Sequence, residues 1–190
     1  DRQRTELYRR RMNGMSPSTA AGTDLEYFLS GLEMRMTISD RTRGDRARCV
    51  QLINKTNQFN LNGVRRSDET VNSVLKAGGR LYSVSLDDRT GQHGEILACL
   101  IGPDDIVDSL VLSCRVFQRR VEHAFLGWLA AQPKTPKGLR YCETPRNAPV
   151  GQFLAESNLQ PDETGFIAFQ PFEFRSAQER NISLFEMISE

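Results

Sequence analysis

A chain of 190 residues is long enough for one domain with some peripheral structure, and 38% hydrophobic with 26% charged residues describes a globular, core-forming sequence. No apolar run approaches the roughly 20 residues that cross a bilayer, so no membrane span is expected. With 25 basic and 24 acidic residues, the net charge of +1 gives no global attraction for nucleic acid or anionic lipid, and any basic site must be local.

The opening DRQRTELYRRRM reads as a charged, exposed helix, and the following GMSPSTAAGTD, with Pro17 and two glycines, reads as a linker. Residues 1–23 are therefore expected to be a helix and linker from a preceding domain, and 24–190 a compact domain. The start carries no apolar signal-peptide core, and with Asp1 in first place the chain reads as a fragment cut from a longer protein.

Within the compact part, LEYFLSGL predicts a short helix and EMRMTIS a strand. A helix is expected from about Asp45 to Asn57, with Ala47, Val50 and Ile53 at helical spacing. The polar stretch NKTNQFNLN follows, and then a helix capped by Ser67 and ended by Gly78 and Gly79. RLYSVSLDD, EILACLIG and IVDSLVLSCRV are three strand candidates separated by the turns TGQHG and GPDD, which predicts an antiparallel meander. The period then changes: Phe117, Val121, Ala124, Phe125 and Trp128 form one helical stripe, on a helix starting near Val116. LRYCET is a strand, PRNAPVGQFLAESNL a helix with Asn147 as cap and Pro149 in its first turn, and TGFIAFQ a last strand. The expected fold class is α/β, a mixed and mostly antiparallel sheet with helices on both faces.

Four cysteines without a CxxC pair and only two histidines predict neither a metal site nor a disulfide framework. Reduced thiols in a cytoplasm are the expected state. Cys49, Cys99 and Cys142 read as small hydrophobes. Cys114 differs, because it ends a strand just ahead of a helix and is followed by Arg115, Arg119 and Arg120. A helix N-terminus and neighbouring cations favour a thiolate, hence a nucleophile. His93, in the turn between two strands, is the candidate base. His123 lies roughly 160 to 200° from its helix's apolar stripe, at about 100° per residue, and is expected to face solvent. In the amide-rich stretch, Asn57, Gln58 and Asn60 suit a polar ligand, whereas Asn54 and Asn62 read as local backbone caps.

The element order is that of GNAT acyltransferases, and QLINKTNQFNLN, DRTGQHG, DSLVLSCRVFQRRVEHAFL and TPRNAPVGQFLAESNL resemble, in order and spacing, the carboxy-terminal region of FkbH-like proteins. That resemblance implies a GNAT fold over 24–190 and a two-part enzyme. A HAD-type phosphatase domain of the same parent chain takes a glyceryl unit from 1,3-bisphosphoglycerate, and the GNAT-like part helps pass it to the phosphopantetheine thiol of an acyl carrier protein in polyketide biosynthesis. It also implies that Cys114 carries the glyceryl unit as a thioester. The aspartyl motif of such phosphatases does not occur in this sequence, so phosphatase chemistry and its magnesium are expected in the other domain only.

Ordinary GNAT enzymes carry [RQ]xxGx[GA] at the strand-to-helix turn, where glycines let backbone amides close on the coenzyme A pyrophosphate. Here the turn reads Arg115-Val116-Phe117-Gln118-Arg119-Arg120, with long side chains at both glycine positions. Pantetheine on a carrier has one phosphodiester and no nucleotide, so side chains of this turn, Arg119 or Arg120 above all, are expected to replace bare backbone as its phosphate partner. Asn147 resembles the asparagine that lies near the pantetheine arm, and it is equally placed as a helix cap. Two further readings stay open: a coenzyme A-dependent acetyltransferase, and a non-catalytic module that docks the carrier protein.

Overall fold

The computed structural model describes residues 19–190, with side chains from residue 25 onward. The helix expected at 1–12 lies outside the described residues. The first described element, α1 (Thr19–Ser30), takes in residues 19–24, which the sequence reads as linker; Ala20 and Ala21 are strong helix formers.

The rest follows as β1 (Met34–Asp40), α2 (Ala47–Lys55), β2 (Phe59–Asn60), α3 (Asp68–Lys76), β3 (Arg80–Asp88), β4 (Gly91–Ile101) and β5 (Ile106–Leu112). After β5 come a 3₁₀ turn (Cys114–Val116), α4 (Val121–Leu129), β6 (Gly138–Arg140), α5 (Ala148–Glu156), β7 (Phe166–Ala168), α6 (Pro171–Ala177), α7 (Glu179–Ile182) and β8 (Phe185–Ser189). Ser67 caps α3 as expected, its Oγ accepting from Thr70 N at 3.1 Å.

The central strand is β4, whose apolar run Ile96–Ile101 is wholly buried. Because side chains alternate along a strand, it serves two cores. Ala98 and Leu100 pack with Leu81 and Val111 beneath Cys49, Leu52 and Ile53 of α2 and Val71 of α3. Leu97, Cys99 and Ile101 join Met36, Val84 and Leu110 in the larger core, closed by Leu29 of α1, Phe125 of α4 and Phe153 of α5. Each such aliphatic side chain contributes about 1.5–3 kcal/mol of burial free energy. Helices therefore cover both faces of the sheet.

The strand order is β7-β6-β5-β4-β3-β1-β8, with β2 attached to β5. The β3, β4 and β5 meander is antiparallel, as is β1 against β3, whereas β5–β6 and β1–β8 are parallel. The result is a mixed, mostly antiparallel α/β sheet.

One irregularity positions the site. β5 pairs with β6 only through Ile106 and Val107, after which the two strands part. The freed edge of β5 is taken by β2, with Phe59 opposite Leu112 and Asn60 opposite Val111, and Leu61 N donates to Leu110 O at 3.0 Å. Asn62 spans the fork itself, its Nδ2 donating to Asp108 O at 2.8 Å and Arg140 O at 3.2 Å. The stretch expected to be an amide-rich ligand loop is thus partly a wedge that satisfies the backbone of a splayed sheet.

Candidate functional site

An open cleft of about 790 Å³ lies at the end of β5. Its walls are one face of α2 (Arg48, Gln51, Leu52, Lys55), the segment Thr56 to Gln58, the turn carrying Ser113, Cys114, Arg115 and Phe117, and Pro145 and Arg146 ahead of α5. Four residues singled out from sequence meet here: Cys114, Arg115, Asn57 and Gln58.

Cys114 is exposed and opens the 3₁₀ turn. Cys49 and Cys99 are buried, and burial pushes both thiols up, that of Cys49 to about 12. Cys142, expected as a small hydrophobe, is exposed, but it does not line the cleft. Cys114 is therefore the one thiol, among the described residues, that is exposed and lines this cleft.

The helix expected from near Val116 starts only at Val121. Gln118 and Arg120 have φ of 66° and 62°, left-handed values that interrupt a helix, and these are the two positions where the acyltransferase motif carries glycine. The turn keeps a glycine-like backbone under long side chains. The field of a helix end falls off within a turn, and the helix N-terminus expected beside Cys114 lies at Val121 instead.

Arg119 and Arg120 do not line the cleft, contrary to their expected role. Arg119 Nε donates to Asp88 Oδ2 at 3.0 Å and its Nη1 to Arg115 O at 3.2 Å, while Arg120 pairs with Glu156. Gln118 is exposed and also lies outside the cleft lining. Arg115 stays at the cleft, its Nε donating to Ser113 Oγ at 3.2 Å.

His93 lies on β4 rather than in a free turn, and it is not among the cleft residues. Its Nε2 sits 3.0 Å from Asp88 Oδ2, whose side chain is 0% exposed. Burial raises the Asp88 carboxyl, but hydrogen bonds from Thr90 and His93 and the charge of Arg119 outweigh it and hold it at about 2. His93 thus serves an anion that fixes Arg119, and the structure does not bring it to Cys114.

His123, expected in solvent, is 2% exposed, with its ring edge-on to Phe153 at 4.9 Å. Its Nδ1 lies 3.2 Å from Glu122 Oε1 and its Nε2 3.8 Å from Glu156 Oε2, beside a smaller cavity of about 330 Å³ that Gln178 and Asn181 also line. The reason is that α4 is covered on both sides. α6 and α7, absent from the sequence reading, lie over its outer face: Arg175 Nη1 donates to Gly127 O at 3.1 Å, and a Cβ at Gly127 would meet Ile182 Cδ1 at 2.6 Å.

Asn147 is 0% exposed and is unavailable to a ligand. Its Nδ2 donates to Asn60 O at 3.0 Å and Cys142 O at 2.9 Å, and its Oδ1 accepts from Thr144 N at 2.7 Å. It occupies the cap position of α5 without capping it, and it ties the β2 wedge to the segment after β6. Asn147→Ala should lower unfolding stability by about 2–3 kcal/mol, because the carbonyls of Asn60 and Cys142 lose buried donors. Urea denaturation reads this directly; an unchanged midpoint would contradict the brace. Asn60 is likewise buried and bonded internally, to Thr56 O and from Gly63 N. Asn54 caps local backbone as expected, donating to Val50 O and accepting from Arg66 N, whereas Asn62 does so only through its Oδ1, which accepts from Val64 N, its amide nitrogen being spent on the distant Asp108 and Arg140 carbonyls. Asn57 is exposed at the cleft, where its Oδ1 accepts from Arg65, and Gln58 is exposed beside it.

Sequence reasoning missed Arg48, Gln51, Lys55 and Arg146 as cleft residues. The signal was present in the i, i+3, i+7 spacing of the three α2 residues, but such a stripe looks like an ordinary solvated helix face. No group of three or more His, Cys, Asp or Glu side chains suited to a metal occurs among the described residues. No helix there is long and apolar enough to cross a membrane. Comparison with protein-family models, curated proteins and solved structures finds no match to this chain.

Proposed function

We propose that this chain is a GNAT-type acyltransferase domain that accepts a glyceryl unit on Cys114 and passes it to the phosphopantetheine thiol of an acyl carrier protein. One observation carries this reading: Cys114 is an accessible thiol at a cleft sized for a small ligand and shared with Asn57, Gln58 and Arg115. The mixed sheet with helices on both faces and a parting between parallel β5 and β6 is compatible with the GNAT architecture.

In the first half-reaction Cys114 Sγ attacks the acyl carbon of the donor. A C–S bond forms, the bond from that carbon to the phosphate oxygen breaks, and phosphate leaves with the electron pair while the thiol proton goes to solvent; the 3-phosphate ester is hydrolysed by water in the partner phosphatase domain, so that the unit passed on is glyceryl. In the second, the pantetheine thiol attacks the same carbon, the bond to Cys114 breaks, and the incoming proton ends on Cys114 sulfur. The exchange of one thioester for another requires little driving force, so positioning is the chief contribution of the cleft. Asn57 and Gln58 are suited to the glyceryl hydroxyls or the pantetheine amides.

The test is transfer itself. Supplied with 1,3-bisphosphoglycerate and the partner phosphatase domain, the chain should raise the mass of a holo carrier protein by one glyceryl unit. Equal charging of the carrier without this chain would remove its role in transfer and leave a docking module.

The left-handed backbone kept at Gln118 and Arg120 favours a second reading, coenzyme A-dependent acetyl transfer, since it preserves the shape of a phosphate-binding turn. Against it stand the side chains at both glycine positions and the engagement of Arg120 by Glu156. Tight calorimetric binding of coenzyme A, with acetyl transfer to an amine, would favour that reading instead.

A further inference from the structure

Four cations with no carboxylate partner gather in the Cys114 cleft. Arg48 and Lys55 lie on the same face of α2, Arg115 follows the thiol, and Arg146 stands at the rim before α5; no Asp or Glu lines the cavity. Among the described residues outside the cleft, the less exposed arginines are mostly paired, Arg41 with Glu95, Arg66 with Asp108, Arg80 with Asp105, Arg119 with Asp88 and Arg120 with Glu156, while Arg65 and Arg175 are spent on backbone carbonyls. None of the four cleft cations has a carboxylate within ion-pair distance among the described residues. Arg48 instead donates to Gln51 and to the Glu95 carbonyl, and Arg115 to Ser113.

Like charges gathered in a concavity repel one another, and nothing in the packing of α2 requires them, since its buried side is Cys49, Leu52 and Ile53. A cleft lined by one sign of charge focuses the field and raises the local concentration of the opposite sign. We propose that the cleft binds a phosphate ester through Arg48 and Lys55, assisted by Arg115 and Arg146, and that this ester belongs to the thiol-bearing acceptor; the second half of that statement rests on the transfer reading above. Several cations match the multiple charge and oxygens of a phosphate better than a single carboxylate. The turn at 118–120, where the family motif would seat a phosphate, has both of its arginines engaged by carboxylates, so the phosphate contact falls to the α2 side of the cleft.

Calorimetry on the wild-type chain, the double variant Arg48→Gln/Lys55→Gln, and Lys76→Gln as a cation control outside the cleft tests this, with thermal melting to confirm that each folds. The probes are 4′-phosphopantetheine, pantetheine, coenzyme A and inorganic pyrophosphate. Phosphopantetheine should bind at least roughly tenfold tighter than pantetheine, because charge-assisted contacts to the phosphate are added. The double variant should lose that advantage while still binding pantetheine, and Lys76→Gln should keep it. Equal binding of the two probes by the wild type, or an advantage that survives the double substitution, overturns the proposal. Pyrophosphate binding that depends on Arg48 and Lys55, with no binding of any pantetheine compound, would support the phosphate site and sink the transfer reading. Coenzyme A binding no tighter than phosphopantetheine indicates an arm borne on a carrier, and much tighter binding indicates the free coenzyme.

Discussion

Cys114→Ser should fold as the wild type does and lose glyceryl transfer by at least about a thousandfold. The side chain is exposed in a short 3₁₀ turn, so exchanging sulfur for oxygen should change stability by no more than about 0.5 kcal/mol. The chemical loss is large because a hydroxyl is a far weaker nucleophile at neutral pH and forms an ester that a thiol does not readily reverse. Cys142→Ser is the matched control: it removes the other exposed thiol without touching the cleft and should leave transfer unchanged. Loss of transfer in both variants, or in neither, would contradict the assignment to Cys114.

Asp88→Asn should lower stability by about 3 kcal/mol, and at roughly 2–4 °C per kcal/mol for a chain of this size the melting temperature should fall by roughly 6–12 °C. The carboxylate is inaccessible to solvent and accepts from Thr90 N at 2.7 Å, Thr90 Oγ1 at 2.5 Å and Arg119 Nε at 3.0 Å, with His93 Nε2 also at 3.0 Å. An asparagine amide would aim hydrogens at Arg119 or His93 and leave the guanidinium unpaired. Since the carboxyl sits at about 2 in the folded chain against an ordinary 3.8, it contributes stability that is fully present above 3.8 and is lost as pH falls toward about 2. The variant should therefore show a weaker acid dependence over that window. Arg119 also holds the Arg115 carbonyl next to Cys114, so transfer should fall several-fold although Asp88 touches no ligand. A variant that melts with the wild type at neutral pH would mean that the buried pairs contribute nothing.

The parts of the fold written in local pattern were legible. The apolar run of β4 marked a strand, the turns TGQHG and GPDD marked the meander, and Ser67 marked the start of α3. In α2 the helix was legible but its face was not: Ala47, Val50 and Ile53 were the expected stripe, and Cys49, Leu52 and Ile53 are the buried residues. The choice between those faces depends on where β4 and β5 lie, which no spacing along the helix records. β2 is two residues long and exists only through its pairing with β5, so it leaves no local signature. β8, α6 and α7 are only five, seven and four residues long and were not anticipated, and that omission also misplaced His123.

At the site, the exposed cysteine at a strand end and the amides Asn57 and Gln58 were readable from residue type and position. The destinations of Arg119, Arg120, His93 and Asn147 were not, because each is set by a partner distant in sequence or hidden by topology: Asp88, Glu156 and the Asn60 carbonyl. The left-handed backbone at Gln118 and Arg120 delays the helix to Val121, and neither residue type favours that conformation.

The most direct measurement is intact and peptide-level mass spectrometry of this chain, wild type and Cys114→Ser, after incubation with 1,3-bisphosphoglycerate, magnesium and a HAD-type phosphatase domain, before any carrier protein is added. A single glyceryl increment mapped to the peptide containing Cys114, absent from the variant and discharged when holo carrier protein is supplied, is the predicted result. An increment on another residue, or none on a wild-type protein that still charges the carrier, would contradict a covalent role for this domain.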